Sequence, residues 1–256
     1  MVVTIDLNDA NNDGIGINMP GYLSDIDTSF QRADYGYFSH IPNDYAGNTY
    51  ATADVANALL TGNPAAWALV AESGPNGDFS YNLATNTLNG TLDGFCFGYG
   101  LSYDISSDTI SHIADDIEIF GLNLSGSGAG NPVHTLIYDL MSGNIAELEA
   151  ELNSNDLVIN GSTGDDVLQS YAGNDILTGG AGDDVFRFDN LSGNDVITDL
   201  QPGDTIDILW QGVTDFADLI IDYASDAGNA IVSAAGVADT ITVEGFSTGL
   251  DDTYFV

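Results

Sequence analysis

The chain has 256 residues, of which 44% are hydrophobic, so it is long enough to form one or two folded domains and is not predicted to be disordered. Its 39 acidic residues face only two basic ones, Arg32 and Arg187, and the formal net charge is −37. This balance excludes nucleic-acid binding and disfavours anionic membrane surfaces, because both need clustered lysines and arginines.

The chain carries no segment of about 20 apolar residues, so membrane insertion is not expected. Its first residues have neither a basic region nor a long apolar run, so any export signal is expected elsewhere. Cys96 is the only cysteine, which excludes an intrachain disulfide and predicts a small buried residue.

The first motif in the chain is Asp9-x-Asn11-x-Asp13-Gly14, which resembles the start of an EF-hand loop. Pro20 stands at the twelfth position, where the bidentate glutamate of such a loop is required. We therefore predict an ordinary Asx-rich turn here.

Strand-like aromatic segments come next, followed by two predicted helices. Asn131 and Pro132 form a start signal, and Gly143 forms a stop signal. The apolar stripe between them consists of Val133, Leu136, Ile137, Leu140 and Met141. A second helix is predicted over Ile145–Leu152. Because strands and helices do not alternate as βαβ units, residues 1–153 are predicted to form an α+β domain.

From Gly161 to Arg187 the template G-G-x-G-x-D-x-U-x recurs every nine residues. Glycine permits the tight turn, carboxylates and turn carbonyls are hard oxygen ligands for calcium, and the apolar position points inward. An Asp/Gly-rich linker would not keep that apolar position in phase. The predicted calcium residues are Gly164, Asp166, Gly173, Asp175, Gly182, Asp184 and, in a weaker fourth copy, Asp195.

Each copy corresponds to half a coil, so residues 154–200 are predicted to form an all-β parallel β-roll. Asp166 is then expected beside Asp184, and Asp175 beside Asp195, on successive coils. Residues 201–256 contain short predicted strands that cap the roll.

This C-terminal part resembles the corresponding region of RTX proteins, which leave the cell by type I secretion. The last residues, Asp251-Asp252-Thr-Tyr-Phe-Val256, fit the uncleaved signal of such proteins. The resemblance implies a type I exporter as a partner and an extracellular, secreted protein.

Catalytic motifs are absent from the sequence. The three histidines, His40, His112 and His134, include no H-E-x-x-H pair, and the sequence has no G-x-S-x-G elbow or lysine-containing phosphate loop. We therefore predict that the chain is not an enzyme.

Motifs within residues 15–153 resemble the HasA-type heme-acquisition hemophores. The matching segments are Tyr22-Leu23, Phe79-x-Tyr81-x-Leu83, Phe97-Gly98-x-Gly100-Leu101-Ser102, Phe120-Gly-Leu-Asn-Leu-Ser125, Val133-His134-x-x-x-Tyr138-x-Leu140-Met141-Ser-Gly143 and Leu148-Glu149-x-x-Leu152-Asn153. The resemblance implies a curved antiparallel sheet backed by helices that holds ferric heme b between two loops. It also implies transfer of heme from hemoproteins to an outer-membrane hemophore receptor.

The resemblance further implies the residues of the heme site. Tyr81 corresponds to the proximal iron ligand, and a phenolate donor suits ferric iron. Tyr138 and Met141 lie in the matching helix, and Arg32 is placed to pair with a propionate. The distal side is left open: His40, Tyr35 or no residue would be the sixth ligand.

Two alternatives remain at this point. A structural or adhesive calcium-binding RTX protein that has lost heme would show no absorption band with hemin. A heme enzyme, which also can use a tyrosinate ligand, would turn over peroxide.

Overall fold

The structure is a computed structural model that describes residues 2–10, 14–39, 45–75, 77–226 and 228–256. Its contacts divide the chain into two compact units. One consists of Met1–Tyr22 and Leu152–Val256, and the other of Leu23–Glu151. The first 22 residues therefore group with the C-terminal part, whereas the sequence predicts one domain over residues 1–153.

Most of the described elements are strands and few are helices, which agrees with the mixture of strands and helices that the sequence predicts. In chain order the elements are β1 (Val2–Leu7), α1 (Met19–Ser29), β2 (Tyr37–Phe38), β3 (Ala46–Gly47), β4 (Thr49–Ala53), α2 (Ala58–Thr61), β5 (Trp67–Glu72), β6 (Phe79–Asn82), β7 (Thr87–Asp104), β8 (Thr109–Gly126), α3 (Pro132–Met141), α4 (Ala146–Asn153), β9 (Asp156–Asn160), β10 (Val167–Gln169), β11 (Ile176–Thr178), β12 (Val185–Phe188), β13 (Asn194–Ile197), β14 (Thr205–Ile208), β15 (Leu219–Asp222), β16 (Ala230–Ala234) and β17 (Thr240–Val243).

The unit formed by Leu23–Glu151 contains an antiparallel sheet in the order β8-β7-β5-β4-β2, and β6 pairs with both β3 and β7. Strands β7 and β8 form a long hairpin with register shifts at Leu92/Gly94 and Phe97/Gly98. A Cβ at Gly94 would clash with the carbonyl of Ile119, so the close approach of the two strands requires glycine there.

Helix α3 follows the predicted pattern. The Asn131 side chain accepts a hydrogen bond from the His134 N–H at 3.0 Å and so caps the helix. All five residues of the predicted apolar stripe are buried. Gly143, with φ of +72°, ends the segment in the left-handed region, where a side chain would be strained. The sequence therefore fixes the face that α3 turns to solvent, which carries Tyr138.

The other unit is built from parallel strands that alternate between two ladders. Strands β9, β11, β13 and β17 pair in one ladder, and β10, β12 and β14 pair in the other. The apolar position of each repeat points inward, since Leu168, Leu177 and Phe186 are fully buried. Antiparallel strands β15 and β16 extend the first ladder from β17, where a cap was predicted.

The N-terminal segment supplies a further coil of this unit. Strand β1 pairs in parallel with β9, with Ile5 beside Ile159. Asn18 bridges Val167, and Met19, the next residue, is fully buried. The segment thus occupies the position that a preceding repeat would take, although it lacks the nonapeptide template.

No helix among the described residues is long and apolar enough to cross a membrane.

Candidate functional site

The unit formed by Met1–Tyr22 and Leu152–Val256 is called the roll unit from here on. One column of aspartates runs along it beside β10, β12 and β14. Asp184 accepts a hydrogen bond from the Asp166 N–H at 2.8 Å, and Asp204 accepts one from the Asp184 N–H at 3.0 Å. The Asp166 carboxylate accepts from the N–H of Ile17 in the N-terminal coil. Asp166 and Asp184 therefore lie on successive coils, as the repeat spacing predicts.

A second column lies beside β9, β11 and β13. Asp175 accepts from the Leu157 N–H at 2.8 Å, and Asp195 accepts from the Asp175 N–H at 2.9 Å. Val196 pairs with Ile176, so the aspartates before them meet across the coils. The spacing of the repeats also predicts this pairing.

Asp204 belongs to the first column but is not among the calcium residues that the sequence predicts. The signal is present in Gly203-Asp204-Thr205-Ile206, because Ile206 pairs with Phe186 and so holds the inward apolar position of a repeat. The nonapeptide template is not recognisable here, because the glycines at its fixed positions before the aspartate are missing.

The glycines predicted with these aspartates allow the turns to stack closely. Gly173 and Gly182 have φ of +140° and +134°. A Cβ at Gly182 would clash with the Gly164 carbonyl, and one at Gly164 would clash with the Gly16 N–H. The turns therefore bring carbonyls and carboxylates of neighbouring coils together, which is the oxygen-rich surrounding that calcium requires.

These aspartates are buried without a matching positive charge. Burial raises the pKa of Asp175 and Asp184 to about 6 and that of Asp195 to about 8. Arg187 is the only arginine or lysine in residues 152–256, and its Nε donates to Asp207 at 2.8 Å. A divalent cation is the group that would allow all of these carboxyls to ionise in place.

We expect the calcium-free roll to lose stability as the pH rises from about 4 to about 8. Unfolded aspartates titrate near pH 3.9, so between that value and the raised pKa values the folded state holds more protons. The free energy of unfolding is then highest below about pH 4 to 5, and it falls as the pH rises through the pKa values of the folded state. Thermal unfolding in chelator at several pH values measures this.

Asp195→Asn is the matched control for that experiment, because it removes one titrating group and keeps an acceptor. It should flatten the curve between about pH 6 and pH 8. A melting temperature in chelator that rises from pH 5 to pH 8 would contradict the expectation.

In the unit formed by Leu23–Glu151, three of the residues that the resemblance assigns to the heme site lie close together: Arg32, Tyr35 and Tyr138. The Arg32 guanidinium lies 5.0 Å from the centre of the Tyr35 ring and 5.4 Å from that of the Tyr138 ring. Tyr35 is 83% exposed and Tyr138 is 49% exposed. The result is an exposed surface of two aromatic rings around a cation, the only arginine or lysine of this unit.

Tyr50 lies behind this surface and is buried. Its hydroxyl donates to the Tyr35 carbonyl, and the same oxygen lies 3.2 Å from the Met141 sulfur. Burial raises the pKa of the Tyr50 phenol well above its usual value; Arg32 lowers it, and Asp34 and Tyr81 raise it further. Tyr50 thus connects the main chain at Tyr35 to the side chain of Met141.

Tyr81 is placed near the end of β6, where its N–H donates to the Tyr45 carbonyl at 2.7 Å. Its cross-strand neighbour is Leu88, whose N–H donates to Nδ1 of His134 at 3.2 Å. The His134 ring lies 5.7 Å from the Tyr138 ring, one helical turn away. Strand β6 and helix α3 therefore bring Tyr81, His134 and Tyr138 to the same region.

Two predicted features fall wholly or partly outside the described residues. His40 is one, and Asn11 and Asp13 of the Asx-rich segment are the other. Within the described part of that segment, the Gly14 N–H donates to the Asp9 carboxylate at 3.0 Å.

His112 is held by structural contacts. It is buried, with Nδ1 2.8 Å from Asp115 and Nε2 3.0 Å from the Ala68 carbonyl. Cys96, Asp115 and Glu118 bring three possible metal-ligating atoms within 4.8 Å of one another. Burial raises the pKa of the Cys96 thiol, which also donates to Glu72, so this group offers a thiol rather than a thiolate.

Residues 158–187 match the family model described as the RTX calcium-binding nonapeptide repeat (4 copies). The chain is also similar in structure to the holo hemophore HasA from Yersinia pestis, with 23% identity, a TM-score of 0.46, and coverage of 59% of this chain and 88% of that chain. For the apo hemophore HasA from Yersinia pestis the values are 23%, 0.45, 59% and 86%. No curated protein sequence matches the chain.

Proposed function

We propose that the chain is an extracellular hemophore whose Leu23–Glu151 unit binds ferric heme through Tyr81 and whose roll unit folds around calcium. Its function is to bind heme and pass it to an outer-membrane receptor, without a catalysed reaction. The observation that carries the proposal is the exposed aromatic surface at Arg32, with Tyr50 and Met141 in contact behind it.

This surface suits a flat, largely apolar ligand with carboxylates at one edge. Tyr35 and Tyr138 offer aromatic faces, and Met141 offers a polarisable thioether. Arg32 lies against the two rings and offers the charge that would pair with a propionate. In a unit with a large excess of acidic residues, a lone arginine at this position favours an anionic ligand that is mostly apolar.

Tyr81 supplies the donor that ferric iron requires. A phenolate is a hard anionic ligand, and tyrosinate is an attested axial ligand of heme. The main-chain hydrogen bond to Tyr45 and the pairing with Leu88 hold the backbone of Tyr81 on a regular strand. A ligand on a strand keeps its position better than one on a loop.

The roll unit supports an extracellular location. Its buried carboxyls oppose folding when calcium is scarce and stabilise the fold when calcium is present in millimolar amounts. A chain of this kind would stay unfolded inside the cell, pass through a type I exporter, and fold outside.

Transfer of heme from a donor tests the proposed function. Mixed with ferric myoglobin, the calcium-loaded protein should acquire heme, and the absorption spectrum should change from that of a histidine-ligated heme to that of a ferric phenolate. Peroxide turnover by the loaded protein should remain at the level of free hemin. No transfer over hours, with free hemin binding intact, would leave a heme-binding protein that does not capture heme from hemoproteins.

A further inference from the structure

The end of the roll beyond the matched repeats contains two buried oxygen atoms that no described residue satisfies. They are Oδ2 of Asp195 and Oγ of Ser192, and the two residues are 1% and 2% exposed. The Ser192 hydroxyl is close enough to Asp195 to lower the pKa of that carboxyl, although the two do not meet hydrogen-bond geometry. Both oxygens are therefore available to a ligand.

Asp239 faces the same turn from a distant part of the chain. It is 6% exposed, and its carboxylate accepts from the Leu191 N–H at 2.8 Å. The Thr240 N–H donates to the Gly193 carbonyl at 3.0 Å, and Asn194 pairs with Thr240 at the start of β13 and β17. Asp239 also raises the pKa of Asp195, as a nearby like charge does.

We propose that Ser192, Asp195 and Asp239 form a calcium site beyond the matched repeats of residues 158–187, in which the segment leading into β17 takes the place of a following coil. Two buried carboxylates and a hydroxyl are hard oxygen donors, which suit calcium rather than a softer metal. The inference rests on the proposed calcium binding of the roll and adds one ion to it.

The site has a structural consequence. Residues 196–238, including the β15–β16 hairpin, separate Asp195 from Asp239 in sequence. An ion held by both would fasten β17 to β13 within the first ladder. Without the ion, one proton shared between the two carboxyls is the alternative way to bury them.

Asp239→Asn separates these two cases, because the asparagine oxygen can still accept from the Leu191 N–H while the charge is lost. We expect the number of calcium ions per chain, measured by equilibrium dialysis with metal analysis, to fall by one. Ser192→Ala should weaken the same ion by about tenfold. Asp251→Asn is the matched control, since Asp251 is an exposed aspartate that accepts from the Thr253 N–H, and it should leave the number unchanged.

An unchanged ion count in Asp239→Asn, together with unchanged affinity in Ser192→Ala, would overturn the inference alone. A wild-type chain that binds no calcium would overturn both the inference and the proposed function of the roll. Asp184→Asn keeps the two apart, because it should remove an ion within the repeats and leave the ion at Asp239 in place.

Discussion

Tyr81→Phe is expected to bind ferric heme at least about 100-fold more weakly than the unaltered chain and to lose the charge-transfer absorption of a ferric phenolate. Loss of a residue that only supports a metal ligand costs about 10- to 100-fold, so loss of the ligand itself should reach or exceed the upper value. The substitution keeps the ring on β6, so its effect reports ligation rather than folding. Hemin titration followed by visible absorption measures both quantities.

Tyr103→Phe is the matched control for this variant. Tyr103 lies near the tip of the β7–β8 hairpin, where its hydroxyl donates to Asp108 at 2.6 Å, so removing that oxygen should leave heme binding unchanged. His40→Ala and Tyr35→Phe should each have a small effect if the iron is five-coordinate, and the one that changes the spin state identifies a sixth ligand. Unaltered spectrum and affinity in Tyr81→Phe would show that this tyrosine is not the ligand.

Removal of calcium near pH 8, where the buried carboxyls ionise, is expected to unfold the roll unit and leave the Leu23–Glu151 unit folded. A bound ion stabilises the folded state by about 2.7 kcal/mol when calcium is at 100 times Kd. Several such ions would contribute as much as the whole stability of an ordinary domain, which is about 5 to 15 kcal/mol. Chelation should therefore lower the β-structure signal in circular dichroism by a large fraction.

Hydrogen exchange with and without calcium locates this change. Amides of β9 to β14 should lose protection in chelator, whereas those of the β7–β8 hairpin should keep theirs. The amides of β1 should lose protection together with those of β9, because the two strands pair along their whole length. Identical circular dichroism in excess chelator and in millimolar calcium would contradict the account of the roll.

The repeat unit shows how far a sequence period can carry a structural prediction. The nine-residue spacing fixes both the aspartate and the apolar residue, so the stacking of Asp166 on Asp184 and of Asp175 on Asp195 follows from counting. The place of β1 does not follow, because an alternating strand of six residues carries no mark of the sheet edge it will join. Its position depends on the tertiary fit of Ile5 against Ile159.

The helices show the same division. The Asn131 cap, the apolar stripe and Gly143 all indicate the same bounds for α3, so its ends could be predicted from the sequence. The sequence does not predict helix α1. Its helix propensity is low, because Pro20 and Gly21 lie in its first turn and two aspartates lie within it. It forms because Leu23 and Ile26 are buried, which is a tertiary effect.

In the candidate heme site, the sequence named the residues through family resemblance but could not place them together. Arg32 and Tyr138 are more than one hundred positions apart in the chain, and only the packing of α3 brings them to the same surface. Tyr50, which is not among the predicted site residues, connects Tyr35 of that surface to Met141 of α3. A buried tyrosine in a strand gives no sequence signal that separates such a role from ordinary core packing.

Titration of the calcium-loaded chain with hemin, followed by visible absorption, is the sharpest test of whether the chain binds ferric heme through Tyr81. We expect a saturable transition that ends at one hemin per chain, with the Soret band and charge-transfer features of a ferric phenolate. A spectrum that remains that of free hemin at every ratio would contradict it.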